Sequence, residues 1–130
     1  MAIRSSSQRV LVVDHEPEIR TRLAAILKGA GYEVVTARDG RSAAAQAKGR
    51  PVDLLIADLS TPKEEGVEMI RWLRNQQPKL KIIAMSGAFG PNALRAADIL
   101  GAQAVLRKPL AAEVVRRRVH DLLQEPSARY

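Results

Sequence analysis

Four short apolar runs in this chain each deliver a polar residue at or near their carboxyl end. Val10-Leu11-Val12-Val13 runs into Asp14, and Leu54-Leu55-Ile56-Ala57 into Asp58. Ile82-Ile83-Ala84-Met85 runs into Ser86, and Ala104-Val105-Leu106 reaches Arg107, Lys108 and Pro109. Runs this short with no polar alternation read as strands buried on both faces, the pattern of a parallel sheet covered by helices. In an open α/β sheet the carboxyl ends of such strands border the crevice where ligands bind. The pattern therefore predicts that two carboxylates, a hydroxyl and an ammonium meet at one edge.

The intervening segments carry helical periodicity. Strand one is read at Arg9–Val13, and Pro17 follows where a first helical turn tolerates proline. Ile19, Leu23, Ile26 and Leu27 recur at helical spacing, with Arg20, Arg22 and Lys28 off that stripe, until Gly29 and Gly31 stop the helix. Strand two is placed at Glu33–Ala37. An alanine-rich second helix spans Arg41–Lys48, broken by Gly49-Arg50-Pro51, and strand three is Leu54–Asp58. Leu59–Glu65 reads as a loop, and helix three as Gly66–Gln76 with Val67, Ile70 and Leu73 inward. Strand four is Lys81–Met85. Helix four is read from Pro91 to Leu100, and strand five at Ala104–Leu106. Helix five is Ala111–Leu123, with Val115, Val119 and Leu122 inward.

Five strand–helix repeats with right-handed crossovers predict a doubly wound α/β sandwich: a five-stranded parallel sheet with five helices. At 130 residues one domain is expected, over residues 9–124, with a flexible N-terminus at 1–8 and a short tail at 125–130. There is no cysteine, hence no disulfide and no thiolate metal site. No apolar stretch approaches the ~20 residues of a membrane span. The serine-rich N-terminus has no apolar core of the kind a secretory signal needs. A cytoplasmic location is the expectation.

Lysine and arginine outnumber aspartate and glutamate by 21 to 14, giving a formal charge of +7. Such a surface suits an acidic partner or simply keeps the chain in solution. Direct nucleic-acid binding is disfavoured, because one Trp, one Phe and two Tyr supply few stacking platforms. A small-molecule hydrolase is disfavoured too: there is no Ser-His-Asp set and no glycine-rich phosphate loop.

Four segments together resemble the receiver domain of response regulators, the phospho-acceptor module of two-component signalling. They are Val10–Pro17 (VLVVDHEP), Asp53–Pro62 (DLLIADLSTP) with Gly66 after it, Ile83–Ala88 (IAMSGA) and Gly101–Leu110 (GAQAVLRKPL). The resemblance covers about Arg9 to Leu123, and it implies the flavodoxin-like receiver fold. It also implies roles residue by residue. Asp58 would be the nucleophile that becomes an acyl phosphate. Asp14 would belong to an acidic pocket holding Mg²⁺ together with Asp58, and the backbone carbonyl of Ser60 would be a further metal ligand. Ser86 would hydrogen-bond a phosphoryl oxygen, and Lys108 would pair with another or with Asp58. The partners implied are a histidine kinase or phosphotransfer protein upstream, with no membrane involved. An unidentified downstream protein would meet the face of helix four, strand five and helix five, and a homodimer would be open to the same face. On helix five, Arg116, Arg117 and His120 fall opposite the apolar stripe, so either an acidic partner or a merely solvated face is expected there. The implied module acts on its own phosphorylation and dephosphorylation, not as an enzyme on outside substrates.

Two positions depart from the family pattern. The family has a second acidic residue after strand one, where this chain has His15. Imidazole is a poor ligand for Mg²⁺ and a good one for transition metals. Weakened Mg²⁺ binding through Asp14, Asp58 and water, a switch to Mn²⁺ or Zn²⁺, and an unphosphorylated pseudo-receiver are all open. So are a protonated His15 that replaces part of the metal's charge and one that merely fills space. Glu16 is expected to point elsewhere, one residue out of phase. At Val105 relatives often carry Tyr or Phe, an aromatic that swings on activation, and valine has no such ring. Ala88, two after Ser86, is expected to leave room beside the acceptor. A basic nucleic-acid-associated protein on the same fold is the third reading, separable by salt-sensitive DNA binding that Asp58→Ala leaves intact.

Overall fold

A computed structural model describes residues 8–58, 63–87 and 101–124, with only the backbone described at 63–67. In chain order the elements are β1 (Arg9–Val13), α1 (Pro17–Gly29), β2 (Glu33–Ala37), α2 (Gly40–Gly49) and β3 (Leu54–Asp58). They continue with α3 (Lys63–Gln76), β4 (Lys81–Ser86), β5 (Ala104–Arg107) and α4 (Ala112–Gln124), the helix expected as the fifth. All strands pair in parallel, in the order β2-β1-β3-β4-β5. The fold is the five-stranded α/β sandwich that the alternation of elements predicts. The expected helix at Pro91–Leu100 lies outside the described residues, as do Ser60 and Ala88.

Alternation of side chains along each strand explains why the apolar runs are unbroken. Val10, Val12, Leu54, Ile56, Ile83 and Met85 point to one face, where they pack on Leu23 and Leu27 of α1 and on Val115, Val119 and Leu122 of α4. Leu11, Val13, Leu55, Ala57 and Ile82 point to the other face, against Ala43 of α2 and Met69, Ile70 and Leu73 of α3. Each central strand thus needs apolar residues at both parities. Burying each large aliphatic side chain contributes about 1.5–3 kcal/mol relative to exposure.

Helix ends follow local chemistry. Pro17 opens α1 at its first position. The helix closes with Gly31 at φ 99°, where the Gly31 N–H donates to Lys28 O at 3.0 Å and the Tyr32 N–H to Leu27 O at 3.1 Å. This pair of bonds satisfies two of the last carbonyls and requires a left-handed residue at Gly31. Asp39 caps α2 by accepting the Ser42 N–H at 2.9 Å.

One boundary differs substantially from expectation. Helix α3 begins at Lys63, ahead of Gly66. Lys63, Glu64 and Glu65 are helix formers, and a glycine inside the first turns costs only about 1 kcal/mol, so Gly66 does not mark the start. Strands β4 and β5 each run one residue past their apolar core, because Ser86 still aligns with Arg107 across the ladder.

Candidate functional site

The parallel register brings the strand ends to one edge. Val13 lies beside Ala37 on one side and Ala57 on the other; Asp58 lies beside Met85, and Ser86 beside Arg107. The first residue beyond β1 is Asp14, with no solvent exposure. Its N–H donates to Ala37 O at 3.1 Å, which holds it to the edge of β2. Its Oδ1 accepts the Glu16 N–H at 2.9 Å, a side-chain turn that bends the chain into α1. Arg20 of α1 donates from Nη1 to Asp14 O at 2.8 Å. The Asp14 carboxylate is therefore oriented by its own backbone surroundings.

Asp58 ends β3 and is buried, as is Ser86 at the end of β4. Lys108 follows β5, held there by its N–H donating to Ser86 O at 3.0 Å, and is joined to Pro109 by a cis peptide bond. Its ammonium reaches across the edge. Nζ lies 2.9 Å from Asp14 Oδ2, 3.1 Å from Glu16 Oε1 and 3.4 Å from Asp58 Oδ2. Burial disfavours the charged form of Lys108. The bonds to Asp14 and Glu16 and the charges of Asp58 and Asp14 more than offset this, and its pKa is raised above that of an ordinary lysine.

His15 stands at the rim with its side chain 58% exposed. Its Nδ1 is 3.6 Å from Asp58 Oδ2 and 3.9 Å from Asp14 Oδ1. Asp14, His15 and Asp58 thus offer three ligand atoms within 4.8 Å of one another, a cluster that could hold a metal ion. Two carboxylate oxygens suit a hard cation, but the imidazole does not suit Mg²⁺. As a set, the donors present do not make an all-oxygen Mg²⁺ site.

The structure accordingly gathers Asp14, His15, Asp58 and Lys108, and ties Ser86 to the same edge through Lys108. The Ser60 carbonyl lies outside the described residues. Glu16, one residue past His15, is not among the clustered ligand atoms; its carboxylate instead meets Lys108 at 3.1 Å. The turn at Asp14 brings it there, and the Asp-x-Glu-Pro spacing at the start of a helix is the signal of that turn.

A model of the response regulator receiver domain matches residues 10–120. The chain belongs to the response-regulator receiver family. The receiver is 32% identical over 118 residues to the alkaline phosphatase synthesis transcriptional regulatory protein PhoP of Bacillus subtilis, covering 91% of this chain and 49% of that protein. It is 33% identical over 115 residues to the CAI-1 autoinducer sensor kinase/phosphatase CqsS of Vibrio cholerae, covering 86% of this chain and 17% of that one. The receiver spans about half or less of the length of these curated relatives. Among solved structures it superposes on the chemotaxis protein CheY4 of Vibrio cholerae with a TM-score of 0.82 at 30% identity, covering 90% of this chain and 99% of that one. Among the described residues of the receiver, no helix is long and apolar enough to cross a membrane.

Proposed function

We propose that this receiver accepts a phosphoryl group on Asp58 from a histidine kinase or phosphotransfer protein. It would then act by binding a partner, working as a cytoplasmic phosphorelay element with no outside substrate. The observation that carries this reading is the ammonium of Lys108, 3.4 Å from Asp58 Oδ2 and 2.9 Å from Asp14 Oδ2, in a crevice at the carboxyl edge of the sheet. Phosphoryl transfer depends mainly on positioning and on neutralising charge. An Asp58 oxygen attacks phosphorus, the bond from phosphorus to the donor's imidazole nitrogen breaks, and that nitrogen keeps the electron pair. The product is an acyl phosphate. Its dianionic oxygens need a cation beside them, and Lys108 supplies one. Ser86, at the end of the neighbouring strand β4, would donate a hydrogen bond to another. A divalent cation bound by Asp14 and Asp58 would add positive charge at the same place.

The output face in this reading includes β5 and α4. Val115, Val119 and Leu122 of α4 are buried, while Arg116, Arg117, Arg118 and His120 are exposed, as is Arg107 of β5. An acidic protein surface fits that side. A second reading, the phosphorylation-independent pseudo-receiver, is favoured by one observation: His15 stands over Asp58 where the family has an acid.

The test is incubation with acetyl phosphate in the presence of Mg²⁺, Mn²⁺ or neither, read by intact mass. Wild type, Asp58→Ala and His15→Asp are compared. A phosphate-sized gain lost in Asp58→Ala is expected. A gain seen only in His15→Asp would replace this reading with the pseudo-receiver.

A further inference from the structure

We propose that the crevice is a site for a Zn²⁺-type transition ion, bound by Asp14, His15 and Asp58 in preference to Mg²⁺. The inference rests on reading the crevice as a cation site, but not on phosphoryl transfer to Asp58. It starts from the disagreement between the donors present and the hard ion that the family implies.

Three features of the molecule carry it. The first is ligand chemistry. Two carboxylates and one imidazole form a mixed N/O set of the kind that zinc sites use, whereas Mg²⁺ takes oxygen and seldom nitrogen.

The second is spacing. His15 Nδ1 lies 3.6 Å from Asp58 Oδ2 and 3.9 Å from Asp14 Oδ1. Ligands held at about 2.0–2.2 Å from a tetrahedral centre stand roughly 3.3–3.6 Å apart. Adjacent oxygens around octahedral Mg²⁺ stand about 2.9 Å apart. The His15–Asp58 separation already falls at the tetrahedral edge length, and the remaining ligand separations, all within 4.8 Å, need closure around an ion. Three protein ligands also leave a fourth position open, as mononuclear catalytic zinc sites do.

The third is orientation. The Asp14 carboxylate is divided between two tasks. Oδ1 faces His15 and is held by the Glu16 N–H at 2.9 Å, while Oδ2 faces Lys108. A backbone donor that fixes a ligating carboxylate is the kind of support metal sites use. The exposure of His15 gives an ion a way in from solvent. Lys108 is then a competitor: it neutralises the two aspartates when no ion is bound, and an arriving cation must displace part of its hold.

The experiment is metal titration of the full chain without any phosphodonor. Zn²⁺ affinity is read by competition with a chromophoric chelator, Co²⁺ by its visible absorption, and Mg²⁺ by displacement of Co²⁺. Wild type, His15→Asp, His15→Gln and His120→Ala are compared, with circular dichroism as the check on folding. His15 is a rim residue, so both of its variants are expected to fold. The Zn²⁺-to-Mg²⁺ affinity ratio should fall at least about tenfold in His15→Asp, because one ion loses its nitrogen and the other gains an oxygen. The Co²⁺ band should change in both His15 variants and stay in His120→Ala. An unchanged ratio in His15→Asp, a Co²⁺ band that depends on His120 instead, or no Zn²⁺ binding by folded wild type would each overturn the inference. Phosphorylation of Asp58, measured separately by mass, can succeed or fail whichever result is obtained.

Discussion

The ammonium of Lys108 lies 2.9 Å from Oδ2 of Asp14, a carboxylate with no solvent exposure. The two residues are far apart in sequence and follow β1 and β5, strands that are not neighbours in the sheet. Lysine therefore spans the crevice above β3, and Asp58 lies beneath that span.

Removing the ammonium leaves two buried carboxylates facing each other. Lys108→Met should destabilise the fold by about 2–3 kcal/mol, below the full cost of breaking a wholly buried pair because the lysine keeps some contact with water. Urea unfolding measures it. Asp14→Asn combined with Lys108→Met should recover part of the loss, since the uncompensated charge goes with it.

The raised pKa of Lys108 gives a pH dependence of definite sign. Its contribution is fully present below the pKa of an unfolded lysine, about 10.4, and is lost as pH rises through the higher folded value. The stability gap between wild type and Lys108→Met should stay level from neutral pH to about 10 and close above it. A gap that already shrinks between pH 7 and 9 would show that the ammonium is not held this way.

Asp39 makes the opposite case. Its bonds to Ser42 hold its carboxyl below the usual carboxylate range. The stabilisation is present above the unfolded value, about 3.9, and is lost as pH falls through the lower folded value. Asp39→Ala should cost about 1 kcal/mol at neutral pH, and Asp39→Asn much less, because asparagine caps comparably well. Thermal unfolding of the three proteins at pH 7 and pH 3 separates the cap from its charge.

Gly31 and Gly29 form a matched pair. A methyl group at either would meet open space, but only Gly31 has a left-handed backbone. Gly31→Ala should therefore cost about 1–2 kcal/mol from conformation alone. Gly29→Ala, at the last position of α1, should be neutral or stabilise by up to about 1 kcal/mol. A lowered melting temperature in Gly31→Ala and an unchanged or raised one in Gly29→Ala are the expected outcome.

The strands were legible because each apolar run is long enough to fill both faces of a parallel sheet, and β1, β2 and β3 lie where periodicity puts them. Asp14, Asp58 and Lys108 were legible for the same reason: they sit at strand ends, where parallel geometry leaves side chains at a common edge. The start of α3 is not legible from Gly66, because Lys63, Glu64 and Glu65 carry the helix ahead of it. The contact of Glu16 with Lys108 is not legible in the sequence, because phase along a strand does not continue through a turn; the Asp14 side chain recaptures the Glu16 N–H and redirects the chain.

The sequence by itself determined the layers, the alternation of elements and the residues available to the crevice, since these depend on periodicity and on which positions can be buried. Only the tertiary structure decided how those residues pair. Order β2-β1-β3-β4-β5 sets Lys108 across from Asp14 and Glu16, and His15 over Asp58, at separations of a few ångströms. Coulomb energy and metal coordination depend on those distances, which strand register and turn geometry create and no local pattern encodes.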